Sequence, residues 1–197
     1  MLDVQFESPL AHRGASDNIS ISMREMSERG MIDLRGATTD KKFMAAVKSV
    51  LEVDLPKLPR TSSSWGDVTV LWLSPDQWLV LCGRSKAPTL LADLRTALGS
   101  IHSLAVDVSD MRAIIRLEGE GVREILMKGS SLDLISDDYK PGTVRRMLFA
   151  EVGALIHVIE ANIIDVYVFR SYANYAWDFI AKSARKGAEV KLYPNAG

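Results

Sequence analysis

Asp107 and Asp110 flank Val108-Ser109, a grouping with two carboxylates and a hydroxyl within four residues. Paired carboxylates can divide acid and base work. Asp and Ser at a turn are equally explained by hydrogen bonds to nearby backbone. Gly119-Glu120-Gly121-Val122-Arg123-Glu124 begins like a dinucleotide fingerprint but lacks the third glycine. The strand order after it is not that of a parallel βαβ unit, so a plain strand-to-helix turn is the better reading. Lys128-Gly129-Ser130-Ser131 has P-loop letters in the wrong order and at a helix end, whereas phosphates need a loop before a helix N-terminus. No G-x-S-x-G nucleophile elbow occurs. Cys82 lies in an apolar run and reads as a buried, inert thiol. His12, His102 and His157 are scattered, and His157 sits in an apolar strand as a core or interface histidine. Asp137-Asp138 reads as a solvated turn. Three histidines and one cysteine are too few and too dispersed for a structural zinc site.

The chain has 197 residues, 47% hydrophobic and 25% charged, enough for one ordinary domain or two small modules sharing a core. Lys+Arg number 24 against 25 Asp+Glu, a net charge of -1. That balance excludes a polybasic nucleic-acid binder and an acidic disordered tail. One cysteine excludes an intramolecular disulfide and fits a reducing compartment. The first residues lack a basic and apolar leader pattern, and no apolar run approaches the roughly 20 residues of a membrane span. The expectation is a soluble cytoplasmic protein.

Residues 1–15 read as an extended arm, because Ser8-Pro9 disfavours helix. Ile19, Ile21 and Met23 alternate with polar residues as in a half-buried strand. Met31–Arg35 is a second strand, stopped at Gly36. Thr39 is the expected N-cap of a helix with Phe43, Val47, Val50 and Leu51 on one face. Thr61–Ser64 reads as a polar loop. Val68–Leu73 and Trp78–Cys82 are strands around the Ser74-Pro75-Asp76 turn. Ser85 is the expected cap of a helix bearing Leu90, Leu91, Leu94 and Leu98, ended by Gly99. In the second half, Ala113–Glu118, Arg146–Val152, Leu155–Glu160 and Ile163–Phe169 are strands. One helix carries Val122, Ile125 and Leu126. Another, capped by Ser171, carries Ala176, Phe179 and Ile180. Trp65, Trp72, Trp78, Trp177 and the eight methionines fill core or line an interface.

Leu34-Arg35-Gly36 and Leu117-Glu118-Gly119 stand 83 residues apart, and Arg84-Ser85 and Arg170-Ser171 stand 86 apart. Each half thus reads β-α-β-β-α. The expected class is α+β: two such modules, 16–104 and 105–197, with antiparallel sheets packed under helices.

The chain resembles the gamma-subunit family of heterotetrameric sarcosine oxidase. The resemblance runs through Ser8-Pro9-Leu10, Ser74-Pro75-Asp76-Gln77-Trp78-Leu79, Asp107-Val108-Ser109 with Arg112, and Leu117-x-Gly119. It continues through Ile125-Leu126-x-Lys128-Gly129-x-x-Leu132-Asp133-Leu134 to Phe169-Arg170-Ser171-Tyr172-Ala173 and Trp177. That family in turn is similar to the folate-binding aminomethyltransferases of the glycine cleavage system. Asp107-Val108-Ser109-Asp110-Met111 is similar to their Asp-Val-Ser-His-Met, and Met147-Leu148 to the start of their segment leading to an aspartate pair. Here that pair falls on Ile156 and His157, so the catalytic carboxylate is missing.

The resemblance implies an aminomethyltransferase-like fold and a non-catalytic gamma subunit without a cofactor of its own. Its partners would be alpha, beta and delta subunits holding FAD, FMN, NAD, tetrahydrofolate and zinc. Such a complex oxidatively demethylates sarcosine to glycine, releases hydrogen peroxide and passes the one-carbon unit to tetrahydrofolate. The alternative is a stand-alone folate-binding or one-carbon-transfer protein. The arm is the expected partner-docking segment, through Val4, Phe6 and Leu10.

Overall fold

A computed structural model of the chain describes residues 6–14 and 19–190. They form two compact units. One comprises Glu28–Met111 with Gly142–Arg145; the other comprises Met1–Ser27, Arg112–Pro141 and Arg146–Gly197. The units interleave along the chain, where the sequence reading set two modules end to end.

The unit built on Glu28–Met111 has β2 (Arg29–Arg35), α1 (Lys41–Leu51), β3 (Ser62–Trp65), β4 (Val68–Ser74), β5 (Gln77–Gly83), α2 (Ala87–Leu98) and β6 (Leu104–Asp107). Its sheet runs β3-β4-β5-β2-β6. Ile32, Leu34, Val70, Trp78 and Val80 project from one face of that sheet onto Phe43, Val47 and Leu51 of α1 and Leu94 and Leu98 of α2. The 4-residue spacing of the α1 trio is one stripe of a helix. Trp78 is fully enclosed, and its indole N–H donates to the Pro56 carbonyl at 2.9 Å. Gly36 is required by this packing: a Cβ there would lie 2.3 Å from the Phe43 ring.

The second unit has β1 (Ser22–Glu25), β7 (Arg112–Glu118), α3 (Val122–Met127), β8 (Val144–Phe149), β9 (Val152–Glu160), β10 (Ile163–Phe169) and α4 (Ala173–Ser183). Its sheet runs β1-β7-β10-β9-β8, the same arrangement with each strand replaced by its repeat equivalent. Ile115, Leu117, Ile156, Val158, Ile164, Val166 and Val168 meet Val122, Ile125 and Leu126 of α3 and Ala176, Trp177 and Ile180 of α4. Gly129 lets this core close, since a Cβ there would come within 2.7 Å of Phe149 and 2.8 Å of Phe179.

The repeated β-α-β-β-α order and the α+β class hold, and each sheet gains outer strands beyond it. Thr61–Ser64 is not a loop. Ser62–Trp65 is an edge strand, because backbone pairing with Leu71–Val68 satisfies it whatever its side chains. Asp40, not Thr39, caps α1, accepting from the Lys42 and Phe43 amides at 2.8 and 3.2 Å. Neither Ser85 nor Ser171 caps a helix; each lies inside a 3₁₀ turn, Arg84–Lys86 and Arg170–Tyr172, that feeds α2 and α4. The expected strand Arg146–Val152 breaks after Phe149, where Ala150 takes a left-handed φ of 50° and turns the chain into β9.

Candidate functional site

Asp107 ends β6, and its carboxylate accepts from the Ser109 amide at 2.9 Å and from the Ser109 hydroxyl at 2.5 Å. Ser109 Oγ in turn accepts the Met31 amide at 2.9 Å, tying the turn to the end of β2. The hydroxyl is buried and both its donor and acceptor capacity are used on the fold. Asp110 faces the solvent and forms an ion pair with Arg84. Arg84, Pro88 and Asp107–Met111 line an open groove of 620 Å³. Its polar groups are those already engaged in the turn and the Arg84–Asp110 pair. This is the backbone-satisfying turn, not an acid/base pair.

Cys82 is enclosed in β5, and burial pushes its thiol pKa up, away from thiolate. Asp137 and Asp138 form a short 3₁₀ turn capped by Ser136, whose Oγ accepts the Asp138 amide at 3.3 Å. Among the described residues, no group of three or more His, Cys, Asp or Glu side chains is placed to hold a metal ion.

The structure assembles one polar cluster the sequence reading did not find. Asp165 of β10 lies between Arg116 of β7 and His157 of β9, as their cross-strand partner on either side. Arg116 grips Asp165 with two parallel hydrogen bonds, 2.7 and 2.8 Å. His157 and Asp165 are 5% and 4% exposed. Burial pulls the His157 pKa down to about 4, while the Asp165 charge opposes that fall. The imidazole is therefore neutral at pH 7 and out of contact with solvent, a structural histidine rather than a proton carrier. The signal for this cluster was one Asp inside an apolar strand; its partners were set only by strand register.

Ile156 projects from β9 into the helix-covered core, opposite His157. The two positions matched to the aminomethyltransferase aspartate pair thus face opposite sides of one strand, one of them unable to ionise.

Of the three expected docking residues, Val4 lies outside the described residues. Leu10 is 2% exposed, inserted in the chain's own core. Phe6 is 45% exposed, and the Arg170 guanidinium lies 5.8 Å from its ring centre. The described arm is clamped to its own unit. Arg13 donates two bonds to Asp178, at 2.8 and 3.1 Å, and one to Asn174 at 3.0 Å. Asn174 donates to the Pro9 carbonyl at 3.2 Å, Arg170 to the Glu7 carbonyl, and Ser8 to Glu25.

Comparison with known proteins agrees with this arrangement. A curated relative, the sarcosine oxidase subunit gamma of Corynebacterium sp. (strain U-96), is 31% identical over 137 residues. That match covers 64% of this chain and 64% of the relative, so the chain spans just under two thirds of it. Among solved structures, a chain of the heterotetrameric sarcosine oxidase from Corynebacterium sp. U-96, in complex with pyrrole 2-carboxylate, superposes with a TM-score of 0.84. That match is 20% identical and covers 95% of this chain and 99% of the other. The aminomethyltransferase T of the glycine cleavage system from Bartonella henselae superposes with a TM-score of 0.59 at 11% identity, over 83% of this chain and 46% of that one. The expected aminomethyltransferase-like fold is therefore present. The family described as "Sarcosine oxidase, gamma subunit family" matches residues 35–186, from the end of β2 to beyond α4 and so through nearly all of both sheets. With a match of that extent, and with the curated relative of the same description, the chain belongs to the sarcosine oxidase gamma subunit family.

Proposed function

We propose that this chain is a non-catalytic gamma subunit that docks onto the alpha, beta and delta subunits of a cytoplasmic sarcosine oxidase. The partners hold FAD, FMN, NAD, tetrahydrofolate and zinc. They oxidatively demethylate sarcosine to glycine, release hydrogen peroxide and pass the one-carbon unit to tetrahydrofolate. The observation that carries this reading is the family match across residues 35–186. The tied-down Ser109 hydroxyl, the enclosed Cys82 and the isoleucine at 156 support an assembly role for the chain itself.

The test is co-expression of the tagged chain with the proteins encoded beside it, then purification and a visible spectrum. The expected result is a yellow multi-subunit complex that oxidises sarcosine. A colourless chain recovered alone, titrating tetrahydrofolate by calorimetry, would replace this reading with a stand-alone folate-binding protein.

A further inference from the structure

The internal repeat supplies a built-in comparison. β5, the 3₁₀ turn Arg84–Lys86 and the start of α2 at Ala87 recur 86 residues later as β10, the turn Arg170–Tyr172 and the start of α4 at Ala173. The inward position is the same residue type in both, Ala87 and Ala173, each buried. The outward positions differ. Gly83, Lys86 and Thr89 in one unit correspond to Phe169, Tyr172 and Tyr175 in the other. The turn and helix form with either set, so the fold does not require aromatic rings there. Those rings nevertheless stand 41%, 45% and 42% exposed.

We propose that Phe169, Tyr172 and Tyr175, extended by Phe6, form the surface that receives a partner-subunit segment with an apolar anchor flanked by carboxylates. This rests on the subunit reading above. Aromatic rings held out of the core in one cluster are what protein interfaces select, because they bury much area with little loss of side-chain freedom. The acidic character of the occupant follows from the cations beside the rings. Arg112 is the cross-strand partner of Phe169, and its guanidinium lies 4.5 Å from that ring centre. Arg170 donates to the Glu7 carbonyl, a neutral acceptor, so its charge is not cancelled there. The repeat again supplies contrast: Arg29, equivalent to Arg112, is the cross-strand partner of Gly83 and is paired with the Asp67 carboxylate at 2.6 Å. Lys86 also faces Asp67, at 3.4 Å. One unit has compensated its cations internally at this turn, and the other has set them against rings. With a net charge of only -1, attraction to an acidic segment must come from such local placement.

The test exchanges the residues that the repeat itself shows to be compatible with the fold. The double variant Tyr172→Lys/Tyr175→Thr and the control Lys86→Ala/Thr89→Ala are titrated as full chains into the remaining sarcosine oxidase subunits. The aromatic variant should keep the wild-type circular dichroism and Tm and raise Kd about tenfold or more, the scale of an anchor residue. The control should change Kd less than about twofold. Wild-type Kd should rise with added salt, as an acidic occupant requires. Equal Kd for the aromatic variant and wild type overturns the proposal while leaving the subunit reading intact. A salt-independent Kd overturns the acidic occupant. Failure of the wild-type chain to bind any subunit refutes the subunit reading itself. Self-association of the isolated wild-type chain, abolished in the aromatic variant, would assign the surface to a second copy and so overturn the partner assignment.

Discussion

Leu10→Ala separates an arm that belongs to the fold from an arm that waits for a partner. Leu10 is 2% exposed and sits in the core beneath β7, β9 and β10. Burying a leucine side chain stabilises a protein by about 1.5–3 kcal/mol. Truncation to alanine also leaves a cavity, which brings the usual loss to about 2–5 kcal/mol. In a chain of this size each kcal/mol moves Tm by about 2–4 °C, so a loss of about 3 kcal/mol lowers Tm by about 6–12 °C. The surrounding hydrogen bonds add less. Asp178 is half exposed, and its pair with Arg13 contributes on the order of 0.5–1 kcal/mol. Phe6→Ala, at a side chain 45% exposed, should change stability by less than about 1 kcal/mol. The assay is thermal and urea unfolding of the isolated full chain, followed by circular dichroism. A Leu10→Ala chain within about 0.5 kcal/mol of wild type would refute the placement of the arm in the core. It would return Leu10 to the candidates for partner contact.

Two further outcomes follow from the cluster on β7, β9 and β10. His157 has a folded pKa of about 4 against an ordinary 6.5, so below pH 6.5 the unfolded chain binds the extra proton. Its contribution is complete above pH 6.5 and is lost as pH falls towards 4, by about 1.4 kcal/mol per pH unit and about 3 kcal/mol in all. Denaturation of wild type and His157→Gln at several pH values should show this difference in slope between pH 6.5 and 4; parallel curves would refute a buried neutral imidazole. Asp165→Asn leaves the Arg116 guanidinium without its carboxylate and should destabilise by about 3 kcal/mol, whereas Arg116→Met/Asp165→Leu should recover most of that loss in urea unfolding. A double variant as unstable as the single one would mean the ion pair is needed for more than charge compensation.

Much of the local structure is written in short-range pattern. Period-2 alternation marks Met31–Arg35 and Ala113–Glu118 as strands, and the stripe Phe43, Val47, Leu51 marks α1. Gly99 marks the end of α2 because only a left-handed residue closes that helix (φ 51°). The repeat spacings of 83 and 86 located equivalent strand ends and turns. The missing carboxylate at Ile156 was also legible, since a residue type either ionises or does not.

What escaped has a common cause: it depends on partners distant in sequence. Ser62–Trp65 looks polar and loop-like, yet strand pairing with β4 makes it a strand. The turn at Ala150 has no glycine or asparagine to announce it. β1 and β6 each precede the other unit's first strand in the chain, so sheet membership could not be read from order alone. Leu10 is one apolar residue in a short arm; only the enclosing core distinguishes it from Phe6. Asp165 would be costly in an apolar strand without Arg116 and His157 beside it, and strand register alone brings those side chains together. Sequence by itself determined which residues could ionise, pack or turn, because those are properties of side chains and near neighbours. Tertiary structure decided which were enclosed, paired or left exposed, because burial and register are set by contacts across the whole chain.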